Sequence, residues 1–208
     1  MKILYPYPET ITFKWAREIH TAAMCGALAR AGHEVLWIVG REHEGSAAEI
    51  RRWFGMTDDP RLRIEFAPRC VRVMGCRIGT RGRFVQAVFD RLRTEKFDFV
   101  YLIHLKMAEA LLDLPERPPV MFEAHEIFAD AFAPGSGNRE ALEALEKSIY
   151  PRCDALVATS RYLLEAIERQ CGLPARRLVA PNAVDQGKIR LGKPAAEEED
   201  LAIYVGTL

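Results

Sequence analysis

Two stretches of this sequence place ionisable side chains where an apolar run gives out. The run DFVYLI closes on His104, and PVMFEAHE delivers Glu123, His125 and Glu126. If both runs are strands, the two-residue period sets Glu123 and His125 on one side, near enough for the carboxylate to orient the imidazole or raise its basicity. Two imidazoles and two carboxylates could converge there. A structural assignment stands beside it: Glu123 as an ion-pair partner on the sheet rim and His125 as a helix cap, since structural networks also perturb such groups.

Several other chemistries are excluded by spacing. The loop after the first apolar run, YPYPETITFK, has no glycine, so it lacks both the G-x-G-x-x-G turn that meets a pyrophosphate and a G-x-x-x-x-G-K-[ST] loop. His-Glu pairs begin at 33, 43 and 125, but none has a second histidine four residues on, so no zinc-protease helix is present. No G-x-S-x-G elbow occurs, and the glycines of GSG at 135–137 read as loop residues.

The elements that must position the candidate residues alternate along the chain. KILY, EVLWIV, LRIEFA, DFVYLI, PVMFEA, ALVAT and RLVAP are short apolar runs rich in β-branched or aromatic residues and read as buried strands. Between them lie helical patterns, clearest at 13–32 with Gly32 as the stop, at 137–150, and at 160–172 with Ser160 as N-cap. Strand and helix in alternation predict an α/β fold, a Rossmann-like parallel sheet with helices on both faces. Ligands of such sheets bind outside the C-terminal ends of the strands, which is where His104, Glu123, His125 and Glu126 fall.

Composition sets the frame. With 208 residues, 49% apolar, 28% charged and zero formal net charge, the chain suits one large domain, and no whole-molecule field draws it to nucleic acid or membrane. Its five cysteines (Cys25, Cys70, Cys76, Cys153, Cys171) are scattered and form no C-x-x-C pair, against a disulfide framework or a cysteine zinc site and in keeping with a reducing cytosol. No run approaches the ~18 apolar residues of a spanning helix.

In order along the chain, AGHEVLWIV after a long first helix, FDFVYLIH, FEAHE, CDALVATSRYLLEAI, GLPARRLVAPNAVD and AIYVGTL resemble family 4 of the GT-B glycosyltransferases. That resemblance implies two Rossmann-like domains facing a cleft, the N-terminal one holding the acceptor and the C-terminal one a nucleotide sugar, with metal-independent and usually retaining transfer. It also implies that His125 lies beside the transferred sugar with Glu123 orienting it, as the catalytic pair. His104 and Glu126 would line the acceptor cleft, and Asn182 of the P-N-x-V-D element would bind substrate. The family's first loop commonly carries a Gly-Gly pair near the donor phosphates. Thr10 to Lys14 occupy that place, so Thr10 and Lys14 are the substrate-binding candidates there. Ala183 replaces the glycine of P-N-G-V-D, and would cost roughly 1 kcal/mol if its backbone needed positive φ.

On this resemblance, residues 1–187 form the acceptor domain, 188–200 a linker, and 201–208 the first strand of a donor domain that the sequence does not contain. The expectation is therefore half of a glycosyltransferase, inactive alone and without a cofactor beyond the donor substrate. The alternative is a non-catalytic module that binds a glycan, lipid or partner protein, or one subunit of a split enzyme. The unpaired strand 201–208 could exchange between copies and make a dimer. Residues 69–96 carry seven arginines and one lysine against Asp90 and Glu95, interleaved with apolar residues. They read as a solvated helix and loop, or as a surface for peripheral contact with anionic lipid. Plainer roles fall to His20 inside the first helix, to Trp15, Trp37 and Trp53 as packing residues, to His43 in a solvated loop, and to a Glu143–Lys147 pair on an exposed helix face.

Overall fold

A computed structural model of the chain describes residues 1–41, 46–68, 71–73, 76–78 and 82–183, with the backbone alone at 71–73 and 76–78. His43, Val184, Asp185, the linker 188–200 and the strand 201–208 lie outside the described residues.

The chain alternates as its apolar runs predict. Strand β1 (Lys2–Tyr7) leads into helix α1 (Ala16–Arg30), β2 (Glu34–Arg41), α2 (Ala47–Trp53) and β3 (Leu62–Pro68). A short antiparallel pair, β4 (Val71–Val73) and β5 (Cys76–Ile78), precedes α3 (Gly82–Thr94). Then follow β6 (Phe99–Leu102), α4 (Leu105–Leu112), β7 (Val120–Ala124), a 3₁₀ turn at Phe128–Ala131, α5 (Gly137–Ile149), β8 (Ala155–Ala158), α6 (Arg161–Cys171) and β9 (Arg177–Val179).

Seven of these strands make one parallel sheet in the order β3-β2-β1-β6-β7-β8-β9. Strand residues alternate between two apolar cores, as a sheet covered on both faces requires. On one face Ile3, Tyr5, Trp37 and Val39 pack against Ala22, Cys25 and Ala29 of α1 and Ile50 of α2. On the other, Leu4, Leu36, Val100 and Phe122 pack against Phe84 and Val88 of α3, Met107 of α4, Ile149 of α5 and Ile167 of α6. The strand order reverses between β1 and β6, and that reversal opens a crevice at their C-terminal ends.

Local signals set the helix ends. Ser160 accepts a hydrogen bond from the Leu163 N–H at 3.1 Å, so the predicted cap is formed. Gly32, with φ +90°, ends α1 in a conformation that a side chain would strain. The GSG stretch differs from expectation. Ser136 is the N-cap of α5, its hydroxyl accepting from the Arg139 N–H at 3.3 Å, and Gly137 is the first helical residue.

Two further expectations are corrected. Glu143 pairs with Arg139 at 2.8 Å rather than with Lys147, because Arg139 already lies over its turn and is anchored by Asp130 at 2.7 Å. Of the tryptophans only Trp37 packs in the core; Trp15 is exposed, and Trp53 is 62% exposed with its ring leaning on Phe13 at 5.0 Å. In the basic segment, Arg91 pairs with Glu65 and Glu95, and Arg93 with Asp90, so part of its charge is met within the domain.

Candidate functional site

Glu123 sits near the end of β7 and is 2% exposed. A bare carboxylate there would be costly to bury, and three polar groups meet it. The Tyr101 hydroxyl donates to Oε2 at 3.0 Å. Nε2 of His20 lies 3.0 Å from Oε1 and 3.1 Å from Oε2. Nε2 of His125 approaches Oε1 to 3.2 Å, but off the line of a hydrogen bond, so that contact is electrostatic. Burial alone would raise the Glu123 pKa; the adjoining His125 and His20 outweigh it and hold the carboxyl low, at about 2. The same burial, reinforced by this carboxylate, pushes the Tyr101 phenol up and keeps it a donor.

His125 is thus not a helix cap, since Ile127 holds that position before the 3₁₀ turn. It stands edge-on to His20, with ring centroids 4.3 Å apart. His20 is the residue that sequence reasoning passed over. Its signal was positional: it lies in the second turn of the helix that follows β1, and the first turns after a parallel strand point at the crevice.

These groups form one wall of a cavity of about 560 Å³ at the β1/β6 reversal. His104, Glu126 and Asn182 also line it, whereas Thr10 and Lys14 do not. Glu9 and Arg17, which the motifs did not single out, line it from the first loop and α1. Glu9 takes an ion pair from Arg17 at 3.4 Å and faces His104 Nε2 at 3.9 Å. His104 caps α4 through its carbonyl, which accepts from the N–H groups of Met107 and Ala108, and not through its ring.

The loop that would carry a Gly-Gly pair is held in another way. Glu18, 1% exposed, accepts from the backbone and hydroxyl of Thr12, both at 2.9 Å, and from the backbone of Lys14 at 3.0 Å. This carboxylate ties the entry of α1 to its own first turn. Phe13 takes φ 64°, and it is the one described non-glycine residue with positive φ. Ala183 therefore carries none of the strain considered for it.

Residues 18–188 match Glycosyltransferase Family 4. The chain belongs to this family. The match takes in His20, His104, Glu123, His125, Glu126 and Asn182, whereas Glu9 and Arg17 of the cavity wall precede it. Among solved structures, the fold of this Family 4 chain is similar to sucrose-phosphate synthase from Thermosynechococcus elongatus (14% identity, TM-score 0.63), covering 89% of this chain and 49% of that one. It is similar to Anabaena HepE in complex with UDP and glucose (15% identity, TM-score 0.60), covering 89% and 45%. The lipopolysaccharide outer core galactosyltransferase WaaB matches at 13% identity and TM-score 0.58, covering 95% and 50%. At such identities the likeness establishes the fold, a Rossmann-like half of a GT-B structure. The chain spans about half the length of these proteins. No curated protein matches it. Among the described residues no helix is long and apolar enough to cross a membrane.

Proposed function

We propose that this chain is the acceptor-side half of a glycosyltransferase that moves a sugar from a nucleotide-sugar donor to an acceptor held in the cavity. The observation that carries the reading is the buried Glu123 with His20 and His125 upon it, at the strand ends where the sheet order reverses. In this reading His125 faces the transferred sugar and stabilises charge that develops on the reacting oxygens. Glu123 orients both rings, and His104, Glu126 and Asn182 contact the acceptor. A second Rossmann-like domain grips the nucleotide; the similarly folded HepE forms a complex with UDP and glucose. No step in the scheme calls for a metal.

The test is transfer by the chain reconstituted with a donor-binding domain, in cis or in trans, followed by release of nucleoside diphosphate. His125→Ala is expected to cut turnover about 10²-fold, with the melting temperature little changed. Full turnover in that variant would remove His125 from the reaction. Residues 1–208 alone are expected to bind a nucleotide sugar no tighter than millimolar; micromolar binding by titration calorimetry would instead support a self-sufficient binding module.

A further inference from the structure

The same three side chains have a second chemical capacity. Nε2 of His20 and Nε2 of His125 both converge on Oε1 of Glu123, at 3.0 and 3.2 Å. The three donor atoms all lie within 4.8 Å of one another. Ligands about 2.0–2.1 Å from a tetrahedral Zn²⁺ ion stand about 3.3 Å apart, so these separations are those of a half-formed coordination sphere. Two imidazole nitrogens and one carboxylate oxygen are a donor set for Zn²⁺, Co²⁺ or Ni²⁺ and a poor one for Mg²⁺ or Ca²⁺, which take oxygen.

The surroundings favour an ion as well. His125 Nε2 is buried and has no aligned hydrogen-bond partner, which leaves a strong donor atom unused. The Tyr101 hydroxyl holds Oε2 of Glu123 at 3.0 Å and so fixes the carboxylate with Oε1 toward both rings, the outer-sphere support that metal-bound carboxylates commonly have. His20, Glu123 and His125 all line the cavity, so the fourth position of such a site would face it.

We propose that His20, Glu123 and His125 form a binding site for a divalent transition metal of the Zn²⁺ class, with an open coordination position facing the cavity. The site stands whether or not the chain transfers sugar. Where it does, an ion here takes up both imidazoles and blocks the reaction, so Zn²⁺ acts as an inhibitor.

The experiment uses residues 1–208 and Co²⁺ or Zn²⁺ alone. Titration calorimetry is expected to show one high-affinity ion per chain, with Co²⁺ giving visible d–d absorption of a four- or five-coordinate nitrogen and oxygen site. His20→Ala and His125→Ala are each expected to weaken binding about 100-fold or more, while His104→Ala, which removes a cavity histidine outside the cluster, leaves it unchanged. Glu123→Gln, nearly the same shape, is expected to weaken binding while keeping the rings packed, which guards against a histidine variant that fails to fold. Absence of d–d bands in the unaltered chain at millimolar Co²⁺ would overturn the proposal. So would a sulfur-to-cobalt charge-transfer band, which would put the ion on a cysteine, or equal loss in His104→Ala.

Discussion

Nε2 of His20 lies 3.0 Å from Oε1 of Glu123, although 103 residues separate them in the chain. The contact joins the first helix to the fifth strand of the sheet across the crevice between β1 and β6. It makes His20 a member of the candidate site, and it sets the consequences of changing each group around this carboxylate.

Tyr101→Phe removes one donor from a carboxylate that is nearly sealed from water. The expected cost is about 1.5–3 kcal/mol of stability, the range for a hydrogen bond to a charged group. Chemical denaturation at neutral pH measures it, and a loss below a few tenths would mean that the two imidazoles satisfy Glu123 unaided.

His20→Ala is expected to lower the turnover of the reconstituted enzyme by about 10-fold or more, with His20→Gln recovering part of it through an amide donor to Glu123. Steady-state kinetics of the two variants check this. Equal turnover in all three proteins would confine His20 to a structural role.

Glu18→Ala strips the acceptor from the backbone N–H groups of Thr12, Lys14 and Trp15 at the entry to α1. A loss of about 1–2 kcal/mol is expected, as for a helix cap, together with faster amide exchange in residues 10–16. Unchanged exchange there would show that the aromatic packing of Phe13 alone holds the loop.

Glu146 is buried and accepts from the N–H groups of Phe128 and Ala129 and from the Tyr150 hydroxyl, so it ties α5 to the 3₁₀ turn at the cavity edge. Burial still raises its pKa, outweighing the hydrogen bonds that favour the anion. Glu146→Ala is expected to destabilise by about 1–3 kcal/mol, the penalty of unsatisfied buried groups, and Glu146→Gln by less. Equal losses in thermal unfolding would contradict that ordering.

Asp154 supplies a pH-dependent term. Burial would raise its pKa, but the Val120 N–H at 2.8 Å and the Arg117 guanidinium at 2.5 Å hold it below the ordinary value. A depressed carboxylate stabilises the fold above its unfolded pKa of about 3.9, and that contribution is lost as pH falls through the folded value. The stability gap between the unaltered chain and Asp154→Asn should therefore be full at pH 6 and shrink below about pH 4. A gap that stays constant to pH 3 would show that the carboxylate charge contributes nothing.

Much of this fold could be read from the sequence because its causes are local. An apolar run such as EVLWIV is buried on both faces wherever a doubly covered sheet places it, and Ser160 can cap α6 from its own turn. The resemblance likewise brought His104, Glu123, His125, Glu126 and Asn182 to one cleft, because each follows an apolar run or motif in a fixed order. Sequence could not assign Glu143 its partner, since Arg139 and Lys147 are equidistant along the helix and only the neighbouring Asp130 fixes Arg139 in place. Nor could it place His20, Tyr101, Glu9 or Arg17. Their roles depend on the strand order that sets β1 beside β6 and on the rotation of α1 over the sheet. Those are decided by burial and packing summed over both cores, and no neighbouring residue in the sequence records them.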